Sequence, residues 1–305
     1  MKINALRRWS RPKVVLIIST LTENPAHTLR VVNGFRNTAA KLFLVQLPTV
    51  SFTPMLPHPG LPFLVGAHPQ AAEERSFYGV GQAFLWAEIL SEVTVLKNMP
   101  LQRMPALADS LGADLVVLTS PEIARRPFRL ANAVDVDLFG ILPVPMMICG
   151  PRMAMSSWNG RDVRNILVPV SFGSGNGLQM RFACRFARRH HGRLTVLHVF
   201  PNLNGGLHAW ERTREAVETR LPISELKQEG ILCPIEIVIS EGYADRKILA
   251  FNEQRPHNLI VMGGPEGRGF PKRYGFSVTE SVIASARCPV LVLGTAAVDA
   301  VSEVA

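Results

Sequence analysis

The sequence predicts an α/β protein made of two tandem, doubly wound domains, each built on a parallel sheet. The first observation is an internal repeat: residues 13–50 align without a gap on residues 165–202, and residues 91–150 align on residues 235–294. The second is that apolar runs alternate with stretches of helical length, which is typical of a parallel sheet covered by helices on both faces. A duplicated domain explains both observations.

Strands are predicted where the apolar residues are continuous, because a strand buried on both faces does not alternate. In the first half these runs are 14–18, 42–45, 115–118 and 146–148, and in the second half 166–170, 194–197, 259–262 and 290–292. Crossover helices are predicted at 28–41, 76–90, 101–112, 178–191, 208–229 and 244–254, and a further helix at 278–286. Right-handed crossovers then give two open sheets, in domains at 13–150 and 163–295.

The first half contains an expanded loop. The two alignments are offset by 152 and 144 residues, so the first half carries 8 extra residues between its second and third strands. Residues 48–69 in this region are rich in proline and apolar side chains, which disfavours regular secondary structure. Two interpretations stay open: a lid or partner-docking segment, and a loop packed across the other domain.

Composition places the chain among ordinary globular proteins, since 305 residues with 47% apolar side chains are enough for two cores. The four cysteines show no CxxC spacing, so we expect reduced, buried thiols and neither disulfides nor zinc. No run of 18 apolar residues occurs. We therefore expect a soluble, cytoplasmic protein that does not associate with membranes.

The net charge of +9 is concentrated in the N-terminal tail and the second half. Four arginines recur at helical spacing in the predicted helix 178–191, namely Arg181, Arg185, Arg188 and Arg189. Such a stripe could contact nucleic acid, but it lacks interleaved aromatic side chains. We interpret it as the solvated face of an amphipathic helix and expect no nucleic-acid partner.

Ligands of doubly wound sheets bind at the carboxyl ends of the strands, so the segments after Val170, Val199 and Met262 are the candidate site. The segment after Met262 is rich in glycine and basic residues and leads into the helix 278–286. Backbone amides and a helix N-terminus of this kind can hold phosphate. Ser277 is the predicted N-cap, and Glu280 completes a capping box.

These residues resemble the universal stress protein family, a branch of an adenine-nucleotide-binding α/β superfamily. The resemblance covers nearly all of both halves. It depends most on the strands at 165–170 and 194–199, the glycine loop after Met262, the Ser277–Glu280 segment and the strand at 288–292. The first half keeps the strands but has Thr119–Glu122 in place of the glycine loop. It looks like a degenerate copy of the same domain.

The resemblance implies ATP as the candidate ligand of the second domain. The residues that would contact its phosphates or adenine are Ser171, Val199, Gly263, Gly264, Gly267, Ser277 and Val278. Ser171 stands where the family has an acidic residue. Two alignments of the loop stay open: Gly263 as the first family glycine with Ser277 as the terminal serine, or Gly264 and Gly267 as the glycine pair with Val278 in the serine position.

The resemblance also implies pairing of domains through their last strands, here 146–149 and 290–293, as an internal pseudo-dimer. A further homodimer is compatible with the sequence. The leading functional hypothesis is a non-enzymatic stress-response protein that acts by binding, with weak or absent nucleotide affinity. The alternative is an ATP sensor, with slow hydrolysis, that uses the second domain only.

Overall fold

The structure is a computed structural model. It describes residues 9, 12–19, 31, 40–46, 93–97, 99–119, 141–150, 152–153, 163–171, 176–200, 206–264, 277–294 and 296–298. Several predictions lie outside these residues: the proline-rich segment 48–69, the helix at 76–90, most of the helix at 28–41, and Gly267.

Ten strands form one continuous sheet. In chain order they are β1 (Val14–Ser19), β2 (Lys41–Gln46), β3 (Val93–Leu96), β4 (Leu115–Leu118), β5 (Met146–Ile148), β6 (Asn165–Val170), β7 (Arg193–Phe200), β8 (Ile235–Glu241), β9 (Leu259–Gly263) and β10 (Val290–Leu293). The sheet order is β3-β2-β1-β4-β5-β10-β9-β6-β7-β8. Both halves therefore have the same doubly wound order, and the predicted α/β fold class is confirmed.

The two halves join through β5 and β10, the one antiparallel pair among the pairings of the ten described strands. Ile148 lies opposite Val290, and Met146 lies opposite Val292. Every residue of these two strands is buried, because alternate side chains enter apolar clusters on opposite faces of the sheet. Gly150 packs directly against the carbonyl of Ile283 in the other half. The predicted pairing of 146–149 with 290–293 is thus observed within one chain.

Six helices are described in full. They are α1 (Met104–Ser110), α2 (Asn176–Arg189), α3 (Gly206–Arg220), α4 (Ile223–Gln228), α5 (Ala244–Gln254) and α6 (Val278–Ser285), and a 3-10 turn at Leu101–Arg103 precedes α1. None of the helices in the described part of the chain is both long and apolar enough to span a membrane.

Two helix predictions need correction. The helix predicted at 208–229 is divided into α3 and α4, because Pro222 is the N-cap of α4 and a proline lacks the N–H that a continuous helix would need. The helix predicted at 28–41 includes Val31, but Lys41 already belongs to β2.

The repeat extends to the side chains that fix the start of each half's first strand. In the first half the Asp114 carboxylate accepts hydrogen bonds from the backbone N–H groups of Lys13 and Val14, at 2.9 and 3.2 Å. In the second half the Asn258 side chain accepts from Arg164 and Asn165, at 3.1 and 2.9 Å. Both halves therefore use a polar side chain that precedes the fourth strand to anchor the first.

The core consists of two apolar clusters, and each contains residues of both halves. Alternate residues of a buried strand enter opposite clusters, as Val15 and Ile17 enter one and Leu16 and Ile18 the other. This explains why the strand sequences are continuously apolar.

Candidate functional site

The candidate site lies between β6 and β9, where the strand order of the second half reverses. The ladder between these strands consists of Ile166 beside Leu259 and Leu167 beside Ile260. The ladder ends at these pairs, before the carboxyl ends of the two strands. This is the crevice in which ligands of doubly wound folds bind.

The same position in the first half is closed by backbone pairing. The ladder of β1 with β4 contains four residue pairs and reaches Ile18 beside Leu118. The backbone N–H of Thr119 then donates to the Ile18 carbonyl at 3.0 Å, and the Thr119 hydroxyl donates to the same oxygen at 3.2 Å. In the described residues the central ladder is therefore shorter in the second half than in the first.

Gln179 bridges the crevice of the second half. It lies in the first turns of α2 and is 3% exposed. Its side-chain Nε2 donates to the carbonyl of Val261 at 2.6 Å and to the carbonyl of Pro169 at 2.9 Å. The amide thus donates to one carbonyl on each strand, beyond the last residue pair of their ladder.

Gln179 is not among the residues predicted from the sequence, although its position on the helix carries a signal. It lies four residues before the buried Ala183, and so on the same face of the helix, where an amide must find partners inside the protein.

The N-terminus of α6 lies beside this edge and carries a capping box. Ser277 is the N-cap, and its hydroxyl oxygen accepts from the Glu280 N–H at 3.2 Å. In return the Glu280 carboxylate accepts from the Ser277 N–H at 2.6 Å. The predicted capping box is confirmed, and it places a carboxylate at the helix end that a phosphate group would approach.

The two described glycines of the site have different surroundings. A Cβ atom on Gly264 would lie 2.9 Å from the Gly294 Cα and 3.1 Å from the Leu293 carbonyl oxygen, which is too close for any side chain. A Cβ atom on Gly263 would meet only the Gln179 Oε1 at 3.8 Å, an ordinary contact. Gly264 is therefore required by packing against the end of β10, where its N–H donates to Leu293 at 2.7 Å.

The remaining predicted residues lie around the same edge. Ser171 follows β6 and is exposed, Val199 lies near the end of β7, and Val278 opens α6 with 41% of its surface exposed. The Thr279 hydroxyl donates to the Gly263 carbonyl at 3.3 Å and ties α6 to β9. The fold thus brings the six described candidates to one edge of the sheet, whereas Gly267 lies outside the described residues.

The arginine stripe on α2 is not entirely solvated, contrary to the prediction. The Glu229 carboxylate bonds Arg181 at 2.7 Å and Arg185 at 3.1 Å, and the Arg185 side chain is 8% exposed. Arg188 and Arg189 are exposed. Half of the stripe therefore fastens α2 to the end of α4, a contact between segments far apart in sequence.

The four cysteines are free and buried. In the described ranges, no group of three or more His, Cys, Asp or Glu side chains is arranged to hold a metal ion.

The fold defines a class: a doubly wound α/β protein that places a polar crevice at the strand-order reversal of its second half. Residues 162–294 match the family model of the universal stress protein family. The second half of the chain is therefore a domain of that family. A comparison with curated protein sequences finds no match.

Solved structures match over nearly the whole chain. A universal stress protein from Archaeoglobus fulgidus DSM 4304 is 17% identical with a TM-score of 0.55, and the match covers 92% of this chain and 98% of that one. A protein of unknown function from Pseudomonas aeruginosa PAO1 is 16% identical with a TM-score of 0.59, and the match covers 97% of both chains. At these identities the likeness extends the shared fold to both halves.

Proposed function

We propose that this chain acts in a stress response as a non-enzymatic binding protein whose second half has weak or absent affinity for adenine nucleotides. The observation that carries the proposal is the Glu280 carboxylate on the Ser277 N–H at 2.6 Å. A phosphate at the N-terminus of α6 would have to displace this carboxylate or lie beside it.

Electrostatics sets the size of the effect. Two negative charges about 4 Å apart repel by about 1 kcal/mol in water and about 4 kcal/mol at an intermediate effective dielectric. This corresponds to roughly one to three decades of affinity. The residues of the second half therefore fit ATP poorly at the helix end where phosphate binding would be expected.

The crevice itself supports the same proposal. Gln179 satisfies the carbonyls of Pro169 and Val261, so a nucleotide entering between β6 and β9 would gain no unpaired acceptor from them. Ser171, in the position of the family's acidic residue, brings no carboxylate for a ribose or a metal ion.

The alternative function is an ATP sensor that uses the second half alone and hydrolyses ATP slowly. It is supported by the crevice between β6 and β9, which has no counterpart between β1 and β4 in the described residues.

Calorimetric titration of the full chain with ATP and Mg²⁺ separates the two functions. We expect no saturable binding with a micromolar dissociation constant, which would correspond to a binding free energy of roughly −8 kcal/mol. Binding in that range, abolished by Gly263→Asp, would establish the sensor and refute the proposal.

A matched pair of variants tests the cause. Glu280→Gln removes the charge at the start of α6 and keeps a side chain that can cap, and we expect it to bind ATP at least tenfold more tightly than the wild type. Glu225→Gln makes the same change in the first turn of α4, away from the crevice, and should leave binding unchanged.

We also propose a cytoplasmic location, supported by four buried free thiols, since such thiols are typical of proteins from reducing compartments. Cell fractionation tests this location. A further homodimer is proposed as an addition to the internal pairing, and the mass of the native chain by light scattering tests it: a monomeric mass would refute it.

A further inference from the structure

The sheet ends at β8, which has no neighbouring strand on its outer side among the described residues. β8 pairs in parallel with β7 along its whole length. At the two ends of this ladder, Leu194 donates to the Pro234 carbonyl and Gly242 donates to the Phe200 carbonyl. The bonds of a parallel ladder are evenly spaced and involve alternate residues of a strand. The even-numbered residues of β8 therefore bond to β7.

The odd-numbered residues of β8 direct their backbone N–H and C=O groups away from the sheet. They are Ile235, Ile237, Ile239 and Glu241. No described residue hydrogen-bonds to these outward groups. Every residue of β8 is at least partly exposed, whereas β7 beside it is mostly buried. A row of open backbone groups of this kind is a template for pairing with another strand.

β8 lacks the features that usually protect such an edge. Natural edge strands are very short, or they are blocked by proline, lysine, bulges or inward-pointing charges. β8 has seven residues, whereas β3 at the opposite end of the sheet has four. Its central residues 237–240 include no proline, glycine or charged side chain. The nearest charge is that of Glu236, and Arg255 holds this carboxylate through two bonds of 2.7 and 2.8 Å.

Both apolar layers of the core reach this edge. On one face Ile235 and Ile237 pack against one core cluster, and on the other face Val238 packs against the second. All three side chains are only partly buried. A strand placed against β8 therefore covers apolar side chains on both faces in addition to pairing the backbone groups.

We propose that β8 is the interface of a homodimer, in which it pairs antiparallel with β8 of a second copy. The inference rests on the homodimer proposed above and assigns a surface to it. Two identical strands pair in this way about a two-fold axis. The register that pairs all seven residues places Val238 on that axis. In this register each outward N–H group lies opposite an outward carbonyl group, and the sheet continues from one copy into the other.

The residues that meet in this register indicate a second copy as the partner. Ile237 lies beside Ile239 of the partner subunit, and Val238 lies at the axis, so apolar side chains meet on both faces. Glu236 lies beside Ser240 of the partner subunit, and the other carboxylate of the strand lies beside an isoleucine. No like charges are directly opposite, where they would destabilise the pair. The chain already joins its own halves by an antiparallel strand pair, β5 with β10.

Cysteine cross-linking tests the register. The Cα atoms of a non-hydrogen-bonded antiparallel pair are about 4.5 Å apart, which is within the range of a disulfide. Under oxidised glutathione, Val238→Cys should therefore link two copies into a species of twice the 33.6 kDa mass on a non-reducing gel. Ser240→Cys is the matched control on the same face of β8. Two cysteines at this position lie about 14 Å apart and should stay unlinked, because each lies beside Glu236 of the other copy.

Val238→Lys tests the interface by repulsion. It places two ammonium groups opposite each other at the axis, so light scattering should show the mass falling from that of two chains to that of one. Ala250→Lys adds the same charge at an exposed position of α5 and should leave the dimer intact. If Val238→Lys does not fold, the cross-linking of Val238→Cys still decides the question.

The outcomes separate the surface from the homodimer itself. If the wild type has the mass of two chains but Val238→Cys does not cross-link, the β8 interface is refuted and the homodimer stands. A folded Val238→Lys variant that keeps the mass of two chains also refutes the β8 interface. A wild type with the mass of one chain refutes both. Nucleotide affinity is measured separately, by the calorimetric titration.

Discussion

Replacement of Gln179 by leucine tests whether the side-chain amide holds the crevice of the second half together. Leucine is similar in volume but cannot donate to the carbonyls of Val261 and Pro169. Val261 is fully buried, so its carbonyl loses a donor without gaining water, at about 2 kcal/mol. Pro169 is half-buried, and the loss of the hydrogen bond to its carbonyl costs about 1 kcal/mol more. Gln179→Leu should therefore lower the free energy of unfolding by about 3 kcal/mol.

Urea unfolding of the full chain, followed by circular dichroism, measures this change. The midpoint should fall while the m-value stays constant, because the amount of surface exposed on unfolding hardly changes. Gln228→Leu is the matched control, since Gln228 is exposed on α4 and its replacement should change stability by less than about 0.5 kcal/mol. A Gln179→Leu variant as stable as this control would refute the bridging role.

Three further predictions concern packing, charge and pH. Gly264→Ala should destabilise the chain by about 1–3 kcal/mol because its Cβ meets backbone, whereas Gly263→Ala should change stability by less than about 0.5 kcal/mol. Glu229→Gln, which breaks the partly buried bridges of α2, should cost about 2 kcal/mol. Glu218→Gln, in an exposed i,i+4 pair, should cost less than about 0.5 kcal/mol. Burial lowers the pKa of His257 from 6.5 to about 4. The neutral side chain therefore contributes fully to the free energy of unfolding above pH 6.5. This contribution, at most about 3 kcal/mol, is lost as the pH falls toward 4.

Denaturant unfolding checks all three predictions. Equal stability of the two glycine variants would contradict the close approach of Gly264 to β10. Equal losses of stability in Glu229→Gln and Glu218→Gln would mean that burial does not strengthen the salt bridges of Glu229. For the pH prediction, the wild type is compared with His257→Asn between pH 4 and 8, and a difference in stability that does not vary with pH would contradict it. Arg255, Glu236 and Arg193 face this histidine and are kept unchanged.

The strands were predictable from sequence because burial on both faces leaves a continuous apolar run, which is a local signal. The pairing of Met146–Ile148 with Val290–Leu293 was predictable from the family resemblance and not from any local pattern. The division between α3 and α4 had a local signal in Pro222, which the helical spacing of its neighbours obscured.

The contacts that decide the candidate site could not be predicted in this way. Gln179 reaches Val261, and Glu229 reaches Arg185, across long stretches of sequence. An amide or a charge on a helix gives no indication of which distant group it will meet, and four arginines at helical spacing are compatible with water or with a carboxylate. The packing of α2 on the sheet and on α4 determines which groups these side chains contact.

A crystal structure of the full chain, grown with ATP and Mg²⁺ in excess, would show whether the second half binds the nucleotide. We expect the Glu280 carboxylate to stay on the Ser277 N–H, the Gln179 amide to stay on the carbonyls of Pro169 and Val261, and no nucleotide to lie between β6 and β9. A triphosphate bound at the start of α6 with Glu280 turned away would contradict it.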